Sequence, residues 1–305
     1  MALGMDRHAG GEDRAEPVPL SVLAERAAPG LYLVSTPIGA ARDITLRALD
    51  LMNTADVLAA EDTRTLRHLL SIHGIPLRGR RLLAYHQHNE TSGGDTPILA
   101  ALAGGAVVAY ASEAGTPLVS DPGFRLARGA IAQGAQVFAA PGASAVLAAL
   151  AVSGLPSDRF LFAGFPPATD AARNRWLDGV LGIDATVIAF ESPRRVKEFL
   201  RNLCEKDGER GIVICRELTK RFEEVLRGTA AELARDLRIE GMKGEVVVLI
   251  DRKVAEGTSM EEARKMVAAA MKGGLSMRDA AQAVAEASGL PRRAVYQAAL
   301  AGGGE

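Results

Sequence analysis

The 305-residue chain has little of what would place it in several large protein classes. It holds two cysteines, Cys204 and Cys215, eleven residues apart, with no His or Cys ladder beside them, so neither a disulfide framework nor a zinc-binding spacing is present. A reducing, cytoplasmic setting is expected. Neither sign of charge dominates: 36 Lys and Arg stand against 37 Asp and Glu, a formal net charge of −1. That balance disfavours a protein that coats nucleic acid non-specifically, because neutralising phosphates calls for excess basic charge. The early residues include Asp6, Arg7, Glu12, Asp13 and Arg14 with no apolar h-region, so no secretory signal is expected. No apolar run can span a bilayer: residues 129–157 are uncharged, yet Gln133, Gly134, Gln136, Pro141 and Gly142 interrupt them. The clean piece, 143–152, falls short of the roughly 20 residues a span needs and reads as core. Internal repeats, low-complexity tracts, a G-x-G-x-x-G and a Walker A sequence are also missing.

What remains is ordinary globular composition, 48% apolar and 24% charged, at a length that predicts two domains or two with a small appendage. The chain alternates strand and helix patterns, which predicts an α/β layer fold. Strands are predicted at 31–35, 57–60, 82–85, 106–111 and 136–139, with helices between them. A second block has strands at 160–163, 186–190, 211–215, 223–227 and 246–250. The last fifty residues change character: three short helices are predicted at 261–271, 277–287 and 292–300, with Ser276 as an N-cap and Pro291 at a helix start. The expected organisation is a loose tail at 1–28, an α/β domain at 29–155, a second α/β domain at 156–252 and a helical domain at 253–305. Leu155-Pro-Ser157 marks the boundary between the α/β domains.

Each of the first five strands runs into a loop of unusual composition. These are Thr36-Pro-Ile-Gly39, Glu61-Asp-Thr-Arg64, His86-Gln-His-Asn-Glu90, Ser112-Glu-Ala-Gly-Thr-Pro117 continuing to Asp121-Pro-Gly123, and Pro141-Gly-Ala-Ser144. Open α/β sheets bind ligands outside the carboxyl ends of their strands, so the five loops predict one crevice. Gly-Thr-Pro and Pro-Gly turns expose backbone with few side chains in the way, which suits a neutral or zwitterionic ligand better than a pyrophosphate. Carbonyl oxygens and Asp121 could face a cationic centre. The His86-x-His88 pair has the spacing of metal ligands, but no second cluster completes a set and no metal is expected. The alternatives are a His that orients substrate or accepts a proton and a purely structural His. Asp62 reads either as a helix N-cap or as a catalytic acid group.

Residues 63–89 contain no acid, five arginines (Arg64, Arg67, Arg78, Arg80 and Arg81) and four of the five histidines. That segment is formally +5, leaving −6 for the remainder, and it spans two of the five loops. A solvated face and an anionic-polymer site both fit such a run. Ser192-Pro-Arg-Arg195 adds a second basic group.

Thr36-Pro-Ile-Gly39, Glu61-Asp-Thr-Arg64, His88-Asn-Glu90, Ser112-Glu-Ala-Gly-Thr-Pro117, Leu155-Pro-Ser-Asp-Arg-Phe160, Glu191-Ser with Arg194-Arg195, and Arg216-Glu-Leu-Thr-Lys220 come in this order. Together they resemble the RsmI type of ribosomal RNA small-subunit methyltransferase, within the tetrapyrrole-methylase superfamily. The resemblance runs from about residue 30 to 300, departing at Ala40-Ala41, where Asn-Leu is usual, and at Glu113, where Asp is common. It implies two α/β domains with S-adenosylmethionine in the cleft between them, a homodimer, and methylation of the ribose 2′-OH of a cytidine in the 16S rRNA decoding centre. By position it implies cofactor contacts at Pro37, Gly39, Ser112, Gly115, Thr116, Pro141, Gly142 and Ser144, with Asp121, Pro122 and Gly123 shaping the same loop.

The 2′-hydroxyl needs a proton acceptor; His88 is the first candidate, with Asp62 and Glu90 behind it. RNA phosphates are expected at Arg64, Arg78, Arg80, Arg81, Arg194 and Arg195. The 16S rRNA or the small ribosomal subunit is the expected partner. Rival readings are methylation of a tetrapyrrole precursor or other small molecule, a non-catalytic ribosome-assembly protein that binds RNA, and metal-dependent hydrolysis at His86, His88 and Glu90.

Overall fold

The computed structural model describes residues 26–86, 94–120, 122–252, 260–288 and 290–301. Most of the expected tail, residues 1–25, lies outside them. By compactness the chain divides into one unit ending at Ala148 that also takes Glu217–Glu223, and a second made of Ala149–Arg216 and the residues from Glu224 on.

The first unit is a five-stranded sheet in the order β3-β2-β4-β1-β5, every pair parallel. Its strands are β1 (Gly30–Val34), β2 (Val57–Ala60), β3 (Arg81–Ala84), β4 (Val107–Ala111) and β5 (Val137–Ala140). β2 and β4 are buried along their whole length, which is why Val-Leu-Ala-Ala and Val-Val-Ala-Tyr-Ala show no polar alternation: helices cover both faces. On one face α1 (Leu46–Thr54) and α2 (Thr63–Ile72) pack Leu51, Met52, Leu66 and Leu70 against Val107 and Ala109. On the other, α3 (Thr96–Ala103) and α4 (Phe124–Ala132) pack Ile98, Leu102 and Leu126 against Val108 and Tyr110. α5 (Ala145–Ser153) follows β5. The chain leaves β1 toward β2 and leaves the adjacent β4 toward β5, in opposite directions, so the loops after β1 and β4 flank the point where the winding reverses.

The second unit has a mixed sheet, β6-β7-β10-β8-β9, formed by β6 (Phe160–Phe162), β7 (Thr186–Glu191), β8 (Gly211–Arg216), β9 (Glu224–Thr229) and β10 (Val246–Ile250). Only β6 and β7 run parallel. The central β10, Val-Val-Val-Leu-Ile, is wholly buried. α6 (Asp170–Leu181) and α7 (Val196–Asp207) contribute Leu177, Phe199, Leu200 and Leu203 to the core. α8 (Ala230–Ala234) carries a Thr229–Glu232 capping box and is followed by a 3-10 turn at Leu237–Ile239. Three terminal helices, α9 (Met260–Lys272), α10 (Met277–Ser288) and α11 (Arg292–Ala301), enclose a small core of their own, mainly alanines with Val267, Val284 and Val295. Ser276 caps α10 as expected, accepting from Asp279 N at 3.2 Å.

The division at 148/149 lies seven residues before the predicted boundary, for a reason local turn chemistry does not carry. The end of α5 is held by Arg227 of β9, whose Nε donates to Ser153 O at 3.0 Å and whose Nη2 donates to Val152 O. Among the described residues no helix is long and apolar enough to cross a membrane.

Candidate active site

Three of the five strand-end loops form one hydrogen-bonded frame. Thr36, 2% exposed, exchanges two backbone bonds with Gly115: its N donates to Gly115 O at 2.9 Å and its carbonyl accepts from Gly115 N at 3.0 Å. Thr36 Oγ1 donates to Ser112 O at 3.2 Å, and Ser112 Oγ donates to Gly115 O at 2.5 Å. On the other side, Ser35 N donates to Ala140 O at 3.1 Å, and Thr116 Oγ1 donates to Ala143 O at 3.1 Å. Gly142 lies so close that a Cβ there would sit 2.9 Å from Ser35 Cβ. The loops after β1, β4 and β5 are therefore fixed to one another around the reversal point.

Of the expected cofactor residues, Ser112 and Thr116 spend their hydroxyls inside this frame, while Gly39, Pro141 and Gly142 present exposed backbone and Pro37 and Ser144 are half-buried. Gly115 is buried in the left-handed region at φ +80°, a conformation that calls for glycine. Tyr110 Oη donates to Pro122 O at 3.0 Å, and Gly123, at φ +121°, leaves no room for a Cβ beside the Tyr110 ring. Leu118 and Ser120 also have positive φ, 71° and 65°. Backbone strain gathers in the loop after β4 and persists because the frame over-determines it.

The two acids after β2 differ sharply. Asp62 is the N-cap of α2: it accepts from Arg64 N at 2.7 Å, and Arg64 Nη2 lies 2.6 Å from Oδ2. The Arg64 guanidinium, helped by the backbone bond, holds the carboxyl down to about 2. It stays ionised and is a poor proton acceptor. Glu61 goes the other way, raised first by burial and then by the charge of Glu113, with His86 pulling it back. Glu61 was missed as an individual candidate; its signal was its place directly after a wholly apolar strand. His88, Glu90 and Asp121 lie outside the described residues.

The basic residues also separate. Arg64, Arg67 and His68 are exposed at i, i+3 and i+4 of α2, a single outward face, and Arg78, Arg81 and Arg194 are exposed as well. Arg80 is engaged within the fold. Its guanidinium donates to Met52 O at 2.6 Å, Ala55 O at 3.2 Å, Pro76 O at 2.8 Å and Leu77 O at 3.0 Å, closing the C-terminal end of α1. Arg195 is engaged likewise: it lies 2.6 Å from Glu191, whose side chain is fully buried and whose carboxyl is raised by that burial. Both arginines satisfy buried acceptors that charge counting cannot see.

The chain is 46% identical over 277 residues to the ribosomal RNA small subunit methyltransferase I of Mesorhizobium japonicum, covering 89% of this chain and 92% of that protein. The like-named protein of Halalkalibacterium halodurans is 38% identical over 87% of this chain and 93% of its own length. That of Escherichia coli O157:H7 is 37% identical over 91% and 96%. The chain belongs to the ribosomal RNA small subunit methyltransferase I family.

As a member of that family it is a methyltransferase, and its two blocks have their own matches. Residues 30–234 match the tetrapyrrole (corrin/porphyrin) methylases, and residues 258–303 match the RsmI C-terminal HTH domain. Among solved structures it is similar to a conserved hypothetical protein of Aeropyrum pernix (TM-score 0.57, 20% identity, 90% of this chain and 96% of that one). It is also similar to the uroporphyrin-III C-methyltransferase of Thermus thermophilus (TM-score 0.53, 20% identity, 73% and 94%). At such identity these establish the fold alone. The expected α/β fold with a C-terminal helical region holds.

Proposed function

We propose that the chain transfers a methyl group from S-adenosylmethionine to the ribose 2′-OH of a cytidine in the decoding centre of 16S rRNA, as a cytoplasmic homodimer. The observation that carries the reading is the frame at the sheet's reversal point, in a chain 46% identical to a protein named for methylating small-subunit rRNA. The frame's chemistry fits the cofactor. Across 35–39, 112–117 and 141–144 one side chain is charged, the exposed carboxylate of Glu113, and the buried hydroxyls are already satisfied. Such a lining offers backbone groups and one anion, which suits a zwitterion with a cationic centre and gives a pyrophosphate no counter-charge.

When bound, the cofactor supplies an electrophilic methyl on a sulfonium. The frame's contribution is alignment: displacement at a methyl carbon goes in line, so loops that cannot move against one another hold the approach of the 2′-oxygen. His88 takes the hydroxyl proton in this reading, with Glu90 in reserve; Asp62, held ionised as a cap, leaves that role. We expect His88→Ala to lose about a hundredfold or more in methyl transfer at unchanged cofactor affinity. Asp62→Asn, which keeps the cap, should stay near the wild-type rate. Full activity in His88→Ala removes general-base catalysis by this residue.

RNA phosphates meet the exposed cations Arg64, Arg67, Arg78, Arg81 and Arg194. Reversing charge at Arg78 and Arg81 is expected to weaken rRNA binding more at low salt than at high salt, with the log–log salt slope falling by about one per cation in fluorescence titrations. Arg80→Glu should instead lower thermal stability. An affinity loss independent of salt contradicts the phosphate reading. The whole proposal is tested by mapping ribose methylation in 16S rRNA from cells with and without the gene. A methylation map that does not change refutes it. Sedimentation of the purified protein reads the homodimer directly.

A further inference from the structure

The Glu217–Glu223 segment, which carries all of the Arg216-Glu-Leu-Thr-Lys220 motif but Arg216, has no role in the reaction described above, yet it packs with the first unit. Its backbone is unusual: Glu217 and Thr219 both have positive φ, 50° and 63°. A β-branched residue rarely enters that region and stays there only when its surroundings hold it. The holders are visible. Thr219 N donates to Glu223 Oε2 at 2.7 Å, Lys220 N donates to Glu217 O at 3.0 Å, and Lys220 Nζ lies 2.9 Å from Glu217 Oε1. So held, the segment lies directly on the loop after β1. Thr219 Oγ1 accepts from Ala40 N at 3.0 Å. A Cβ on Gly39 would stand 2.5 Å from Lys220 Cγ, 2.6 Å from Thr219 Oγ1 and 3.0 Å from Leu218 O. Gly39 is therefore a glycine because this strap occupies the space over it, and the contact at residue 40 is to the backbone, which an alanine serves as well as any residue.

We infer that Thr219 is a positioning residue for cofactor binding: through Ala40 N–H it locks the exposed Gly39 end of the loop whose other end, Thr36, is fixed by Gly115. Without that bond the loop keeps its anchor in the frame but loses its set shape at the edge where a ligand would lie. The inference rests on the cofactor reading above. It differs from a purely structural role in predicting a change in cofactor affinity that is separate from folding and from the rate at saturation.

Calorimetry of the full-length protein with S-adenosylmethionine, paired with thermal unfolding and steady-state methyl transfer to small subunits, tests it. Thr219→Val, near in shape but without the acceptor, is expected to raise the cofactor Kd and KM about tenfold with kcat within about threefold of wild type. Thr219→Ser, which keeps the hydroxyl, should restore wild-type affinity. Should Thr219→Val fail to fold, Glu223→Ala removes the acceptor of Thr219 N–H from the exposed side and is expected to raise Kd several-fold. Unchanged Kd in every folded variant overturns the inference alone. A wild-type protein that gives no heat with the cofactor overturns the cofactor reading and the inference with it.

Discussion

Gly115→Val is expected to lower methyl transfer by about a hundredfold or more in a protein that still folds. Gly115 sits at φ +80°, where a β-branched side chain is strained by about 1–2 kcal/mol. Its Cβ would stand 3.3 Å from Ile38 Cγ2, and valine's two methyls reach further. Relief requires backbone movement, and Gly115 is where the frame is most connected: two bonds to Thr36 and one from Ser112 Oγ end on its peptide groups. A shift there carries the loops after β1 and β4 apart, and misplacement of reacting groups by about 1 Å costs on the order of a hundredfold in rate. The sheet beneath, with β4 wholly buried, does not depend on the loop, so the unfolding transition stays cooperative. Tritiated methyl incorporation into small subunits from cells lacking the gene, alongside a circular dichroism melt, reads both quantities. A valine variant within threefold of wild type would falsify the fixed-frame account, and Gly115→Ala should fall between the two.

Arg173→Ala is expected to cost about 3 kcal/mol of stability in urea unfolding. Arg173 on α6 is fully buried. Its Nε donates to Asn202 Oδ1 at 2.8 Å, and its Nη2 reaches the half-exposed Asp170 and, at 3.4 Å, Glu198. Truncation leaves a cavity and an unsatisfied Asn202 acceptor inside the core. Arg173→Met fills most of that volume and gives up the guanidinium's own desolvation cost, so its loss should be less than half as large. Both variants acting alike would contradict the cavity account.

The pH dependence follows from Glu191. Its carboxyl is raised by burial and pulled down in part by Arg195 and Arg173. A raised carboxyl binds its proton more tightly in the folded state, so it favours folding below its unfolded value and loses that contribution as pH rises through the folded value. Removing Arg173 raises the carboxyl further. The deficit of Arg173→Ala should therefore be smaller at about pH 5 than at about pH 7.

Which parts of this molecule were legible in advance depends on how far apart the deciding residues are. β2 and β4 were readable because four or five consecutive apolar residues can only be buried on both faces, and the terminal helices because Ser276 and Pro291 mark their starts locally. The five loops were readable as a set because Gly and Pro follow β1, β4 and β5, while clusters of charged, His and amide residues follow β2 and β3. The end of the first unit was not: Gly154-Leu-Pro156 looks like a break, but Arg227, more than seventy residues away, holds the preceding turn of α5. The intramolecular partners of Arg80 and Arg195 were not legible for the same reason. A cation's charge is local, while the carbonyls at Met52 and Ala55 or the buried Glu191 that use it are not.

The sequence by itself determined the periodicities, the strand-end loops and the acid-free basic segment, since each depends on neighbours within a turn or a strand. The tertiary structure decided which hydroxyls are spent on the frame, which acid is buried and raised, and why residue 39 must be glycine. Those are questions of what surrounds a group, answered by burial and by bonds such as Thr36–Ser112 and Thr219–Ala40, between residues 76 and 179 positions apart.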